Sequence, residues 1–519
     1  MSKFSSSTIV GVFVFLFIFS SFIPVAEAQK KILRKTRVLK KIIPKIGKKD
    51  KDAAKDAAKE ESSTTAASET TETVKGRPPI IIIPGLIGSE LVNKNTGEKV
   101  WFDLTRSKDD DLRLPVSPNI LANHDNLVPR DILRKIQLIR LTPEIEIYQK
   151  LIDSLAANGY TEGKLDAPPE NGYADTFYVF PYDWRLDNVE NAQILLQKLD
   201  DLRSKLKSPN LKFNVVAHSM GGLIARYAEM YGKADLSAKT LRPTWKGASY
   251  FNNISLIATP NGGALTALDS LLNGFSLFGS GKINLPFVQN LTKYDLFTIP
   301  SIYQLLPPNG MVRAFDENLK PIRVDLYNPA TWEKYGWTAY TNEEFPKKIE
   351  NTTSEQAKAY FRAVLLRAKL FQAALDARPM TKNSVPIYYL GSECKPTING
   401  MIIYKNAKDD KWETKFEADS FTKPDGTKVS KEELEKVLYS PGDGVVPKSS
   451  LVSSLLNAGK YRNPNSRLIK KDLTIACSEH NRLAGDEIIG KSLLNVLNLP
   501  FNMPNTKQSK SAISRRGTK

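Results

Sequence analysis

The chain has 519 residues, of which 41% are hydrophobic and 25% charged, so it is not a collagen, a coiled-coil rod or a wholly disordered protein. Its two cysteines exclude a disulfide-rich scaffold and a Cys-rich zinc module. The formal net charge of +18 is concentrated at the two ends, which leaves no basic, aromatic-lined stretch in the body and argues against a nucleic-acid partner.

Residues 1–28 have the pattern of a signal peptide. Lys3 supplies a positive start, Ile9 to Ile23 form an apolar core, and Ala26-Glu27-Ala28 is a small-x-small cleavage pattern. We therefore expect an exported protein with an extracellular, periplasmic or lumenal location. An uncleaved signal-anchor is the alternative, and it would also place the body outside the cytoplasm.

Residues 29–76 are predicted to be a basic, low-complexity arm and linker, and residues 501–519 a basic disordered tail. Eleven basic residues lie between Lys30 and Lys51, with apolar residues among them at partly helical spacing. This composition suits an anionic membrane surface. Because Pro44 interrupts the helical pattern, a solvated disordered arm is the alternative.

Strand and helix patterns alternate through residues 77–500. Predicted strands span Pro79–Ile83, Thr176–Phe180, Phe213–Val216, Ile254–Ala258, Val385–Leu390 and Leu473–Ala476. Predicted helices span Glu144–Ala157, Val189–Leu206, Met220–Tyr231 and Asp486–Leu497. A long insertion at about 262–381 is predicted to form a lid or cap. The alternation predicts an α/β fold with a mostly parallel, doubly wound sheet and a site at the carboxyl ends of its strands.

Ser219 is the predicted nucleophile. It lies in Ala217-His218-Ser219-Met220-Gly221, between an apolar strand and an amphipathic helix. A strand-turn-helix elbow of this kind exposes a serine hydroxyl. Two residues before the serine the elbow needs a small side chain, and Ala217 meets that need.

The chain offers three histidines as a base for this serine. His480 follows the last predicted strand, where an α/β-hydrolase carries its base. His218 is expected to pack behind the elbow and His124 to lie on the surface. Asp443, in a Gly-Asp-Gly turn, is predicted to orient the imidazole, which gives the chain order Ser, Asp, His of α/β-hydrolases.

Two backbone N–H groups are predicted to form the oxyanion hole. One belongs to Met220, directly after the nucleophile, and the other to Leu86 in the glycine-containing loop Pro84–Ser89.

Several strings together resemble the lecithin:cholesterol acyltransferase and lysosomal phospholipase A2 family. They are Pro84-Gly85-Leu86-Ile87-Gly88, Pro181-Tyr182-Asp183-Trp184-Arg185, the elbow Ala217 to Gly222 and Gly442-Asp443-Gly444-Val445-Val446. The resemblance implies an α/β-hydrolase fold, the same triad and oxyanion hole, and acyl transfer from a lipid ester. We expect no cofactor and no metal. Animal members close a lid with a disulfide, but no cysteine lies between Gly85 and Glu393, so we expect a lid held differently.

Trp101, Phe102 and Phe278 lie in apolar clusters that are predicted to meet the lipid, unless they pack beneath the insertion. Cys394 and Cys477 follow two predicted strands, and in an exported protein they are expected to form a disulfide. Two free buried thiols are the alternative. Asp183 and Arg185 are expected to form an ion pair that braces their loop.

The sequence thus predicts a secreted serine acyl hydrolase or acyltransferase, of the phospholipase A or O-acyltransferase type, that acts on lipid at a membrane or lipoprotein-like interface. The elbow is also similar to that of small bacterial triacylglycerol lipases, so a triacylglycerol lipase or carboxylesterase is the alternative. A non-catalytic lipid-binding envelope protein is a third reading, against which the complete triad argues.

Overall fold

The computed structural model describes residues 76–102, 112–136, 145–236, 242–275, 290–349, 351–377, 385–406, 409–419, 421–423, 425–454 and 472–498. The predicted signal peptide, basic arm and carboxyl-terminal tail lie outside these residues, as does Phe278. None of the helices in these ranges combines the length and the hydrophobicity that a bilayer crossing requires.

The described strands are numbered in chain order. They are β1 (Ile80–Ile83), β2 (Ser89–Asn93), β3 (Lys99–Trp101), β4 (Leu127–Ile132), β5 (Lys135–Ile136), β6 (Ile145–Glu146), β7 (Thr161–Gly163), β8 (Thr176–Val179), β9 (Phe213–His218), β10 (Phe251–Ile257), β11 (Ala314–Phe315), β12 (Pro321–Ile322), β13 (Ile387–Ser392), β14 (Lys395–Ile398), β15 (Met401–Lys405), β16 (Trp412–Lys415), β17 (Phe421–Thr422), β18 (Lys428–Val429), β19 (Tyr439–Gly442) and β20 (Leu473–Ala476).

The described α-helices are numbered in the same way. They are α1 (Gln149–Ala157), α2 (Asn188–Lys205), α3 (Met220–Tyr231), α4 (Leu265–Asn273), α5 (Lys293–Phe297), α6 (Pro300–Tyr303), α7 (Pro329–Tyr335), α8 (Phe345–Lys348), α9 (Ser354–Leu375), α10 (Lys431–Leu438), α11 (Lys448–Leu451) and α12 (Glu487–Val496).

Seven strands form the central sheet in the order β20-β13-β10-β9-β1-β8-β7, and every neighbouring pair is parallel. The four isoleucines of β1 are all buried, as a strand requires when helices cover both faces of its sheet. In the register, Ile82 faces Val179 on one side and Val216 on the other. This sheet confirms the predicted α/β-hydrolase class.

The stretch 262–381 contributes α4 to α9. Aromatic side chains form its core, and Phe361 on α9 packs edge-on against Trp332 and Tyr303. The helix α9 is tied to the body by Arg367, whose guanidinium donates to both carboxylate oxygens of Asp187 at 2.9 and 3.0 Å. The same carboxylate accepts from two backbone N–H groups at the start of α2, so one buried acid joins the two helices.

The helix predicted to begin at Glu144 begins at Gln149, because Ile145–Glu146 pairs with Lys135–Ile136 as a short antiparallel ladder. An antiparallel sheet of β3, β2 and β4 also lies outside the sequence prediction. These strands are short, and β4 contains Pro129 and Arg130, so their alternation is too weak to mark them.

Glu229 is a carboxyl on α3 that is only 1% exposed. Burial raises its pKa to about 7, although the Val385 N–H and the nearby Arg226 act in the opposite direction. Because the folded state holds this proton more tightly than the unfolded chain, the stabilisation is complete below about pH 4.5 and is lost as the pH rises through 7. We expect this group to lower the free energy of unfolding by roughly 3 kcal/mol over that range.

The measurement is denaturant unfolding of wild type and Glu229→Gln at several pH values from 4 to 8. The amide cannot lose a proton, so the variant should show a flatter dependence of stability on pH. Glu435→Gln removes a carboxylate from a surface ion pair and serves as the control. If the stability of Glu229→Gln depended on pH as strongly as that of wild type and Glu435→Gln, the raised pKa of Glu229 would be refuted.

Candidate active site

Ser219 occupies a tight elbow between β9 and α3, with a φ of 52° and a ψ of −126°. This left-handed backbone is strained for a serine and lifts the side chain out at the start of the helix. The elbow can close because its neighbours are small. A Cβ at Gly221 would lie 2.3 Å from the Pro84 carbonyl oxygen, and a Cβ at Gly222 would lie 2.0 Å from Thr259 Oγ1.

His480 begins a 3-10 helix, His480–Gly485, a few residues after β20. Its Nε2 lies 2.9 Å from Ser219 Oγ, and its Nδ1 lies 2.8 Å from Asp443 Oδ2. A carboxylate can only accept, so Nδ1 carries the proton and Nε2 accepts from the serine hydroxyl. This is the arrangement that a general base for a serine nucleophile needs.

Asp443 is buried and uses both of its carboxylate oxygens. Oδ2 accepts from His480, and Oδ1 accepts from the Val445 and Val446 N–H groups at 2.9 and 2.7 Å. Burial alone would raise the pKa of this carboxyl. The interaction with His480 and the two backbone donors outweigh burial and hold the pKa below its usual value. The group is therefore a carboxylate at neutral pH.

The loops that carry Asp443 and His480 are fastened to each other. The His480 N–H donates to the Asp443 carbonyl at 3.0 Å. A disulfide joins Cys394, after β13, to Cys477, after β20, with the Cα atoms 5.4 Å apart. The Thr397 hydroxyl, on β14, accepts from the Gly444 N–H at 2.8 Å. Acid and base thus share one support at the carboxyl ends of the central strands.

The loop after β1 lies directly against the nucleophile, because a Cβ at Gly85 would be 2.9 Å from the Ser219 Cβ. Within the described ranges, neither the Leu86 N–H nor the Met220 N–H donates to a protein acceptor. Both donors are therefore available to an oxyanion beside the serine, as the predicted roles require.

The prediction of an exposed lipid-binding patch at Trp101 and Phe102 is wrong, because the two side chains are 0% and 6% exposed. The strand β3 folds Trp101 onto Trp184, with ring centroids 5.3 Å apart. Its indole N–H donates to the Ile87 carbonyl at 2.8 Å, so Trp101 supports the loop that carries Leu86. Phe278, the third residue of that prediction, lies outside the described residues.

Arg185 and Asp183 form the expected ion pair. The guanidinium of Arg185 is fully buried and donates to both oxygens of Asp183, at 3.0 and 2.8 Å. It also donates to both oxygens of Asp125, at 2.5 and 2.8 Å. The pair fixes the loop after β8. His124 lies at the surface, with Nε2 3.2 Å from Glu190, as predicted.

Two residues near the triad, Tyr148 and His218, are linked by a hydrogen bond that the sequence does not predict. The Tyr148 hydroxyl lies 2.8 Å from His218 Nδ1, and His218 Nε2 lies 3.1 Å from the His480 carbonyl oxygen. Burial lowers the pKa of His218 to about 3, and the proximity of His480 adds to that shift. His218 is therefore neutral. Its place beside the serine could be read from the sequence, but the contact with Tyr148 could not.

The described residues contain no cluster of three or more His, Cys, Asp or Glu side chains that could hold a metal ion.

A family model described as lecithin:cholesterol acyltransferase matches residues 133–455, a range that includes Ser219 and Asp443 and ends before His480. Two curated relatives come from Arabidopsis thaliana. Lecithin-cholesterol acyltransferase-like 4 is 27% identical over 256 residues, covering 44% of this chain and 42% of the relative. Phospholipase A(1) LCAT3 is 26% identical over 271 residues, covering 47% and 55%. The chain thus spans about half the length of these relatives.

Two solved structures are similar over most of the chain. The crystal structure of the Tle4-Tli4 complex has a TM-score of 0.48 and 14% identity, covering 81% of this chain and 98% of the other. The Bacillus licheniformis lipase BlEst2 has a TM-score of 0.30 and 12% identity, covering 83% and 96%.

Proposed function

This chain belongs to the lecithin:cholesterol acyltransferase family, and from that premise we propose that it is a serine-dependent lipid acyl hydrolase or acyltransferase of the phospholipase A or O-acyltransferase type. The observation that carries the proposal is the unbroken line of hydrogen bonds from Asp443 through His480 to Ser219. The residues of this line come from three separate chain segments, and their hydrogen-bond geometry is the one that nucleophilic catalysis needs.

In the proposed reaction, Ser219 Oγ attacks the ester carbonyl carbon while His480 Nε2 takes the hydroxyl proton. The negative oxygen of the tetrahedral intermediate is stabilised by the Leu86 and Met220 N–H groups. As the intermediate collapses, His480 gives its proton to the leaving alcohol and the acyl chain stays on Ser219. Asp443 stabilises the imidazolium that forms between these steps.

The second half of the reaction removes the acyl chain. Water or an alcohol gives a proton to His480 and attacks the acyl-serine, and the product is a free fatty acid or a new ester. Ser219 then regains its proton from His480. Hydrolase and transferase activity therefore use the same residues and differ only in the acceptor that reaches the acyl-enzyme.

Phospholipid is the proposed acyl donor, and the name of one relative, a phospholipase A(1), supports this choice. The test uses the full-length protein and phosphatidylcholine with two different acyl chains, with and without a long-chain alcohol. Free fatty acid and lysolipid are expected without the alcohol, and a new ester with it if the protein is a transferase. Turnover of triacylglycerol with none of phospholipid would instead favour a triacylglycerol lipase or carboxylesterase.

The proposal includes export from the cytoplasm. The disulfide between Cys394 and Cys477 supports it, because such bonds persist mainly in oxidising compartments.

The basic stretch from Lys30 to Lys51 leads to a prediction about the membrane. Each basic residue near an anionic surface contributes about 1 kcal/mol. We therefore expect at least roughly tenfold faster phospholipid cleavage in anionic than in neutral vesicles, since tenfold corresponds to only about 1.4 kcal/mol. Added salt should weaken the preference.

Deleting residues 29–73 should remove the preference and leave turnover of a soluble short-chain ester unchanged, because the triad lies far beyond this segment. A truncated protein that kept the full vesicle preference would show that other surfaces recognise the membrane.

A further inference from the structure

We propose that Tyr148 and His218 act as positioning residues for catalysis: together they form a hydrogen-bonded strut that fixes the loop carrying the oxyanion donor Leu86 relative to the catalytic base His480. This inference rests on the proposed function and adds two residues to its machinery. Neither side chain is expected to touch the substrate.

Every donor and acceptor in the strut is determined. The His480 carbonyl can only accept, so His218 Nε2 carries the proton and donates to it at 3.1 Å. The neutral imidazole then has a free acceptor at Nδ1, which accepts a hydrogen bond from the Tyr148 hydroxyl at 2.8 Å. The Tyr148 oxygen in turn accepts from the Gly85 N–H at 2.8 Å.

At one end the strut holds the peptide unit that precedes the oxyanion donor. Tyr148 binds the Gly85 N–H, and the Tyr182 hydroxyl donates to the Pro84 carbonyl at 3.0 Å. Both polar groups of the Pro84–Gly85 peptide are thus held by tyrosine hydroxyls. Because Leu86 N–H belongs to the next peptide unit, fixing this plane restricts the direction in which that donor points.

At the other end the strut holds the backbone of the base. The His480 N–H donates to the Asp443 carbonyl at 3.0 Å, and the His480 carbonyl accepts from His218. With both backbone groups occupied, the imidazole has a fixed point of attachment. The support is shared, because α1, which follows Tyr148, packs on the same 3-10 helix: a Cβ at Gly485 would lie 2.9 Å from the Lys150 Cβ.

The neutral state of His218 matters for the reaction. Its ring centroid is 5.0 Å from that of His480, which becomes an imidazolium during acyl transfer. A second positive charge at this distance would oppose that step, and a neutral ring does not. Desolvation in the buried site keeps His218 neutral while it still donates one hydrogen bond and accepts another.

The test compares Tyr148→Phe with Tyr178→Phe. The Tyr178 hydroxyl is also buried and donates to the Gly172 carbonyl at 2.8 Å, but it lies on β8 and does not contact the triad. Both variants lose one buried tyrosine hydroxyl and should lose similar thermal stability. Only Tyr148→Phe should lower kcat for a short-chain ester, by roughly 10- to 100-fold, with KM within about twofold of wild type, because a small misplacement of catalytic groups has effects of this size.

A second pair of variants tests the histidine. His218→Gln can keep an N–H donor toward the His480 carbonyl, whereas His218→Ala cannot. We expect the glutamine variant to retain at least roughly tenfold more activity than the alanine variant at similar melting temperature. Equal activity of the two would contradict the role of the hydrogen bond to His480.

The rate of fluorophosphonate labelling of Ser219 distinguishes failure of the strut proposal from failure of the proposed function. Stoichiometric labelling of wild type with slowed labelling of Tyr148→Phe supports the strut. Normal labelling and normal kcat in Tyr148→Phe, matching Tyr178→Phe, would overturn the strut and leave the proposed function intact. Absence of labelling in wild type would overturn the proposed function itself.

Discussion

Ser219→Ala is expected to lower kcat for a soluble chromogenic ester by at least about a thousandfold, because no acyl-enzyme can form without the hydroxyl. The Leu86 and Met220 donors remain in this variant, so some catalysis above the uncatalysed rate can persist. The fold should be unaffected, since the hydrogen bond that Ser219 Oγ makes among the described residues is the one with His480. The measurement is steady-state hydrolysis of a p-nitrophenyl ester with the melting temperature as a check of folding.

The controls separate the site from the rest of the chain. His480→Ala should lower kcat as much as Ser219→Ala does, since the two groups act as a unit. His124→Ala removes a surface histidine paired with Glu190, and its kcat should stay close to that of wild type. Ser249→Ala removes an exposed serine hydroxyl that donates to the Lys246 carbonyl, and its kcat should also stay close to that of wild type. Activity of Ser219→Ala within tenfold of wild type would reject the nucleophile.

Asp443→Asn should lower kcat by about a thousandfold to ten-thousandfold. The amide oxygen can still accept from Val445 and Val446, which leaves the amide nitrogen facing His480 Nδ1. A donor at that place favours the tautomer with the proton on Nε2, and this tautomer cannot accept the serine proton. The change also removes the negative charge that stabilises the imidazolium, a charge that the lowered pKa of Asp443 maintains in wild type.

Asp486→Asn provides the matched control for this change. Asp486 also accepts from two backbone N–H groups, those of Ile488 and Ile489, but it caps α12 and does not contact the triad. It should retain wild-type kcat. If Asp443→Asn lost activity only through a higher KM, the carboxylate would act in binding and not in orienting the base.

The central strands could be predicted because their amino-acid composition distinguishes them. A strand covered on both faces must be apolar throughout, and β1, with four consecutive isoleucines, is such a strand. The helix after the elbow and the last strand have the predicted limits, Met220–Tyr231 and Leu473–Ala476. Ser219 and His480 could be placed because they follow β9 and β20 of this sheet. Asp443 was identified by its Gly-Asp-Gly turn, and it follows β19, which pairs with β14 outside the central sheet.

The positions of Trp101 and Tyr148 depend on tertiary contacts that no local sequence pattern indicates. Trp101 follows Lys99 and Val100, a pattern equally compatible with an exposed loop and with β3, which pairs with β2 and packs Trp101 against Trp184. Tyr148 lies 63 residues from Gly85 and 70 from His218, and its helix pattern does not indicate which way the hydroxyl points. Tertiary packing decides both positions.

Chemical identification of the acyl-enzyme tests the central claim most directly. Full-length protein is mixed with phosphatidylcholine that carries two acyl chains of different mass, quenched in acid within milliseconds and digested for peptide mass spectrometry. The account predicts that the peptide containing Ser219 gains the mass of one of the two acyl chains, and that Ser219→Ala gains none. If phospholipid were consumed and the acyl mass appeared on another residue, the account would be contradicted. It would also be contradicted if phospholipid were consumed, no residue gained the acyl mass and the protein stayed active after treatment with fluorophosphonate.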